Sequence, residues 1–109
     1  MLSLQPRAMA TALLIVLSSL PVLAWSDQRA IIIADRCEYL LLNSNQGMVI
    51  IRKLAPASVQ TGDTLVGEFT AGNFRDVTNT RTDESLRVWV DRVDRQSQRA
   101  LHQYGRYCS

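Results

Sequence analysis

The residues best suited to covalent chemistry are the two cysteines, Cys37 and Cys108. Redox-active pairs usually lie close together in the sequence as C-x-x-C, and these two do not. A disulfide between them would close a loop of about 70 residues, which the chain-entropy model values at about 4 kcal/mol. It would also fix a C-terminus that would otherwise fray. The spacing therefore favours a structural disulfide over reactive thiols or half of a metal site.

A catalyst of the Ser-His-Asp or Cys-His type would have to use His102, the single histidine of the chain. No G-x-S-x-G motif accompanies it, so we expect a surface histidine. A metal site would have to gather Asp35, Cys37, Glu38 and His102, whose spacing matches no zinc or calcium pattern. A phosphate-binding G-x-x-x-x-G-K loop is absent from the sequence. The sequence predicts no catalytic residues, no metal ligands and no cofactor.

Aromatic residues beside arginines are the candidate binding residues: Trp89 with Arg87, and Phe74 with Arg75. Stacking aromatics next to cations are what single-stranded nucleic acids require. The twelve Lys and Arg residues include one at position 7, which leaves eleven against ten Asp and Glu in the rest of the chain. A chain with such balanced charge attracts phosphate only weakly, which argues against nucleic acid as a partner. The favoured alternative is that Trp89 packs beneath a C-terminal helix.

The first residues have the layout of a secretory signal peptide. "MLSLQPR" is basic, and the apolar "AMATALLIVLSSLPVLAW" follows it. We expect a signal peptide over 1–24, with cleavage after Ala24 as first choice and after Ser26 as second. The alternative is an uncleaved anchor, although the apolar stretch barely reaches the ~20 residues that span a bilayer. Export to the periplasm or beyond would supply the oxidising compartment that a disulfide needs.

Residues 25–109 are long enough for one small domain, and most of its pattern is that of β-strands. "AIII" at 30–33 reads as a strand or the end of a short helix. Residues 38–54 read as a β-hairpin whose five-residue loop, 43–47, contains Gly47. Both hairpin strands are apolar on both faces, which is typical of a closed or covered sheet.

Further along, strands are predicted over 64–69 and 86–93, with turns at 61–63, 71–74 and 78–85. Gly67 inside a strand indicates a bulge or a sharp bend. The alternation in "LRVWVDRV" predicts that one face of the last strand carries Leu86, Val88 and Val90, and the other Arg87, Trp89, Asp91 and Val93.

A C-terminal helix is predicted over 94–105, with Asp94 as N-cap and Gly105 just past its end. Leu101, Tyr104 and Cys108 are spaced by three and four residues and would share one face. That face would pack on the sheet and bring Cys108 to Cys37.

The stretches "VQTGDTLVGEF", "FRDVTN" and "LRVWVDRV" resemble the strand–turn–strand core of OB-type small barrels, in which a "GD-x-L-x-G" element turns into a bent strand. The chain also resembles small exported bacterial proteins with an OB-like β core, a class that implies no particular activity. OB barrels bind oligonucleotides or oligosaccharides on one sheet face, but fold alone does not carry that function over.

The expected fold is therefore mostly β: an OB-like small barrel or strongly bent antiparallel sheet, with one C-terminal helix and one disulfide. The expected function is that of an exported, non-enzymatic interaction or accessory module. Its partner would be a protein of the cell envelope or exterior, and no stable membrane association would remain once the signal is removed. Two alternatives stay open. One is a barrel for oligosaccharide or single-stranded nucleic acid with Trp89, Phe74 or Tyr39 exposed; the other is a small enzyme using His102.

Overall fold

A computed structural model describes residues 27–109, which form six β-strands and one α-helix. The predicted signal peptide, 1–24, lies outside the described residues, as does the Ser26 alternative. The elements in chain order are β1 (Gln28–Ala34), β2 (Tyr39–Ser44), β3 (Gly47–Lys53), β4 (Thr64–Gly67), β5 (Asn73–Asn79), β6 (Glu84–Asp94) and α1 (Ser97–Tyr107).

The six strands close into an antiparallel barrel in the order β1-β2-β3-β6-β5-β4, with β4 pairing back to β1. Helix α1 follows the last strand and packs on the outside of β2, β3 and β6. A disulfide joins Cys37 to Cys108. The prediction of a small, mostly β barrel with one C-terminal helix and one disulfide is confirmed. The barrel has one strand more than the five of an OB-fold.

The apolar runs of β2 and β3 are explained by two separate cores. Leu40 and Leu42 point into the barrel, while Leu41 between them is buried under α1. The same alternation in β3 sends Val49 inward and Ile50 outward to the helix. Side chains alternate along a strand, so a strand covered on both sides reads as a continuous apolar run. The prediction of a covered sheet is confirmed.

Turns are shorter than the sequence indicated. Ser44 pairs with Gly47, so the β2–β3 hairpin turns through two residues, not five. Gly47 has φ +124°, which glycine adopts without strain, as expected for this position. Asn73 and Phe74, predicted as part of a turn, begin β5 instead. Polar residues at 78–79 and 84–85 likewise extend β5 and β6, because cross-strand pairing continues to Asn79↔Glu84.

An irregularity in β6 overturns the predicted position of Val93. Ile51 pairs with Val90, whereas Ile50 pairs with Arg92, so Asp91 is an extra residue in β6. A bulge of this kind reverses the alternation beyond it. Val93 therefore packs against the barrel core and does not share the face of Trp89.

The helix begins later and ends later than predicted. Asp94 is the last residue of β6 rather than the N-cap, although its carboxylate accepts a hydrogen bond from the N–H of Gln96, the residue that does precede α1. Gly105 lies within α1. Leu101 is 46% exposed, so it is not on the packed face. The packed face consists of Ala100, Tyr104, Tyr107 and Cys108.

Candidate functional site

One row of side chains crosses the outside of four strands of the barrel. Cross-strand pairing places Phe74 of β5 opposite Trp89 of β6, Trp89 opposite Arg52 of β3, and Arg52 opposite Tyr39 of β2. Residues directly opposite one another project from the same face of a sheet. We call Phe74, Trp89, Arg52 and Tyr39 the aromatic–arginine row.

The Phe74 end of the row is the open end. Phe74 is 55% exposed, and its ring lies 4.8 Å from the ring of Trp89, centroid to centroid, at a tilt of 57°. Tilted aromatic pairs at this separation are favourable beyond the area they bury. The pair is therefore an apolar surface held in one arrangement, with its outer ring available for contact.

The Tyr39 end of the row is covered by the helix. The ring of Tyr107 in α1 stacks on Tyr39 with centroids 4.6 Å apart, and the Arg52 guanidinium lies 5.9 Å from the Tyr39 centroid. The Tyr107 hydroxyl donates a 2.8 Å hydrogen bond to the carboxylate of Asp91, which is the extra residue in the β6 bulge. Burial is the largest cause that raises the pKa of Tyr107, followed by this bond to Asp91, so its hydroxyl stays protonated at neutral pH.

Arginines around the row are already paired with carboxylates. Arg52 lies 3.4 Å from Glu38, and Arg87, on the same face as Trp89, lies 3.2 Å from Asp76. These pairs are exposed, so each contributes little to stability. They neutralise the two arginines on either side of Trp89.

Three of the four predicted binding residues come together, and the fourth does not. Phe74, Trp89 and Arg87 project from the outer face of β5 and β6. Arg75 follows Phe74 in the same strand and so points to the opposite face, where it forms a 2.7 Å ion pair with Glu68. Its Nε is buried without a hydrogen-bond partner among the described residues.

The predicted packing of Trp89 beneath the helix is wrong. The side chains under α1 are Leu41, Met48 and Ile50, and Trp89 is not among them. Trp89 lies farther along the sheet, half-buried against Phe74. The helix is narrower than the four-strand face. It covers mainly β2 and β3 and contacts part of β6, which leaves the outer side of β5 and the Trp89 region of β6 open.

Arg52 and Tyr107 are members of this surface that sequence reasoning missed. The predicted five-residue loop between β2 and β3 gave no register that would place Arg52 opposite Tyr39. The two-residue turn places Arg52 opposite Tyr39, because the β2–β3 pairing continues without a shift from Ser44↔Gly47 to Tyr39↔Arg52. Tyr107 was missed because the helix was expected to end before it.

A depression of about 410 Å³ lies beside the Glu38–Arg52 ion pair, lined by Glu38, Lys53, Leu54, Ala55 and Pro56. The backbone N–H of Leu54 bonds to the carbonyl of Arg87, which ties this loop to the strand that carries Trp89. Leu54 is 42% exposed and extends the apolar surface beyond the row.

Residues considered for catalysis or metal binding are not brought together. His102 is exposed on α1, and both cysteines are in the disulfide. Between residues 27 and 109, no three His, Cys, Asp or Glu side chains are placed to hold a metal ion. Within the same range, no helix has the length and apolar character to cross a membrane.

Comparison of the chain with protein-family models, curated proteins and solved structures finds no match. Its function must therefore be inferred from the geometry of its surface.

Proposed function

We propose that the chain is an exported, non-enzymatic binding module that recognises a protein partner through the aromatic–arginine row. The observation that carries the proposal is the exposed Phe74 ring held against Trp89 on an open barrel face. The partner surface it fits is apolar and uncharged.

The composition of the row supports a protein partner. Trp, Tyr and Arg dominate the energetically important positions of protein interfaces, and the row contains one of each beside Phe74. Aromatic side chains supply a large contact area at a small cost in conformational entropy. The Phe74–Trp89 pair is also fixed before binding, which reduces the cost of association.

The charge of the face supports an uncharged partner. The two arginines on either side of Trp89, Arg52 and Arg87, are paired with Glu38 and Asp76. Binding nucleic acid or an anionic membrane would require these ion pairs to break, and over residues 27–109 eleven Lys and Arg are nearly balanced by ten Asp and Glu. The acids would also repel phosphate at close range.

Export is part of the proposal and is supported by the disulfide, which is typical of proteins that fold in an oxidising compartment.

Site-specific crosslinking tests the proposal. A photoreactive phenylalanine analogue is placed at Phe74 and, as a matched control, at Leu101, a comparably exposed apolar position on α1. We expect one protein adduct in the exported fraction from position 74 and none from position 101. With the crosslinked partner purified, Phe74→Ser should weaken its binding at least tenfold, and Leu101→Ser should leave it unchanged.

Two results would overturn the proposal. One is equal crosslinking from positions 74 and 101. The other is saturable quenching of tryptophan fluorescence by an oligosaccharide in a Trp25→Phe variant, whose remaining tryptophan is Trp89, with no protein adduct at position 74. That result would establish the oligosaccharide-binding alternative instead.

A further inference from the structure

Each cysteine of the disulfide is close in sequence to one tyrosine of the Tyr39–Tyr107 stack. Cys37 comes two residues before Tyr39, and Cys108 directly follows Tyr107. The N–H of Tyr39 points to the Sγ of Cys37 at 3.4 Å, and the two tyrosine rings are 4.6 Å apart. The covalent bond that fixes the end of α1 therefore also fixes the covered end of the aromatic–arginine row.

Few other contacts hold this end of the helix. The hydroxyl of Tyr104 accepts from the N–H of Arg36 at 2.8 Å and donates to the carbonyl of Tyr39 at 3.0 Å. Beyond Tyr104, the last turn has the stack of Tyr107 on Tyr39, partial packing of Tyr107 and Cys108 on the core, the Tyr107 hydroxyl bond to Asp91 and the disulfide. Only Ala100 and Tyr104 are fully buried in the described helix. Segments with so few buried contacts open locally without unfolding the rest of a domain.

The disulfide is within reach of a reductant. Cys37 and Cys108 are both partly exposed, and Asp35, Arg36 and Glu38 around Cys37 are exposed. Thiol–disulfide exchange requires a thiolate to approach one sulfur along the bond, so access of this kind is a precondition.

Arg52 couples this end to the rest of the row. Its guanidinium lies over Tyr39 and pairs with Glu38, which is the residue between Cys37 and Tyr39. Arg52 is in turn opposite Trp89 in the sheet. A change in the segment from Cys37 to Tyr39 therefore alters the support of Arg52, and with it the surface next to Trp89.

We propose that thiol–disulfide exchange at Cys37–Cys108 switches the aromatic–arginine row between an ordered and a loosened state. A dithiol reductant forms a mixed disulfide with one cysteine and then closes its own disulfide. It transfers two electrons and two protons to Cys37 and Cys108, which become thiols. The last turn of α1 then separates and Tyr107 leaves Tyr39. The inference rests on the proposed function, because it regulates the same surface; the oxidised form is the preorganised one and binds more tightly.

The test reads the switch without a partner, so its failure is distinct from failure of the proposed function. Amide hydrogen exchange and ring-to-ring NOEs are measured by NMR on the full chain after export, oxidised and then reduced with dithiothreitol. We expect loss of the Tyr39–Tyr107 NOEs and at least tenfold faster exchange of the amides in the last turn of α1. Exchange of the barrel amides of β5 and β6 and the Phe74–Trp89 NOEs should be retained.

Two variants separate the bond from the stack it fixes. Cys37→Ser/Cys108→Ser should resemble the reduced protein and give no further response to dithiothreitol. Tyr107→Ala keeps the disulfide and should mobilise Tyr39 and Arg52 while leaving the exchange of the last turn slow. Unchanged Tyr39–Tyr107 NOEs after complete reduction would overturn the switch. So would unfolding of the whole barrel on reduction, since the bond would then act on the fold rather than on the row.

Discussion

The buried carboxylate of Asp63 is held by Arg81 through two hydrogen bonds, with Nε 2.7 Å from Oδ1 and Nη2 3.1 Å from Oδ2. Asp63, which precedes β4, is 4% exposed, and its carboxylate also accepts from the side-chain amide of Asn79 at the end of β5. The hydrogen bond from Arg81 is the largest cause that lowers the pKa of Asp63 to about 2 from 3.8. This ion pair ties together the loops at one end of the barrel.

Asp63→Asn should lower the free energy of unfolding at pH 7 by about 2 kcal/mol, because the charged acceptor of Arg81 is lost at a buried position. The matched control is Asp76→Asn, which breaks the exposed ion pair with Arg87 and should cost less than about 1 kcal/mol. Urea unfolding followed by Trp fluorescence measures both. Equal losses would mean that burial of Asp63 does not strengthen its pairing.

Acid should destabilise the fold between about pH 4 and pH 2. Asp63 and Asp94 both have pKa values of about 2 in the folded chain, where Arg81 and Arg99 respectively are the first cause. An unfolded Asp titrates near 3.9, so the stabilisation is present above about pH 4 and is lost as pH falls toward 2. Unfolding free energies measured from pH 7 to pH 2 should fall less steeply in Asp63→Asn/Asp94→Asn than in the wild type. Parallel curves would contradict this assignment.

Close packing leaves no room for a side chain at Gly67. A Cβ at this position would lie 2.7 Å from Cγ1 of Val77, inside the barrel core. Gly67→Ala should therefore destabilise the protein by about 1–3 kcal/mol. Gly105 has open space around its Cα in α1, so Gly105→Ala should stabilise by about 0.5–1 kcal/mol through helix propensity. Thermal melts of the two variants should shift in opposite directions, and Val77→Ala should relieve part of the Gly67→Ala loss.

The strands could be predicted from sequence because alternating and apolar runs such as Leu40–Leu42 are local signals. The disulfide could be predicted because two cysteines in the domain admit one pairing. Boundaries of the turns were missed because polar residues such as Asn79 pair across strands and are buried by tertiary contacts. Nothing local marks Asp91 as a bulge, since the extra residue is defined only by the pairing of β6 with β3.

The aromatic members of the candidate site were predictable from the sequence, but Arg52 and the arrangement of the row were not. Phe74 and Trp89 were singled out as aromatic residues next to arginines, yet their contact depends on the β5–β6 register. The same register places Arg75 on the face of the sheet opposite the row. Arg52 and Tyr107 joined the surface only once the hairpin turn and the end of the helix were known.

The exported protein should begin at residue 25. If the predicted signal peptide is cleaved after Ala24, the intact mass will match residues 25–109 with one disulfide, and it will rise by two hydrogens on reduction. Thiol alkylation before reduction should add nothing. Cleavage after Ser26 would shift the start to Asp27 and still support export, whereas a full-length mass would show that the N-terminal segment is retained.

Removing the disulfide should lower the free energy of unfolding by about 4 kcal/mol, because the bond closes a loop across a sequence separation of 71 residues. Cys37→Ser/Cys108→Ser should show this loss in guanidinium chloride titrations followed by tryptophan fluorescence. Tyr104→Phe is the comparison for the non-covalent attachment of α1: it removes the hydroxyl that bonds to the backbone of Arg36 and Tyr39 and should cost about 1–2 kcal/mol. Since the entropic effect of the disulfide acts on the unfolded chain, its loss should appear in the double-serine variant even though Trp89 and Phe74 keep their native contact. If the barrel of that variant were as stable as the wild type, the bond would have no part in the stability of the fold.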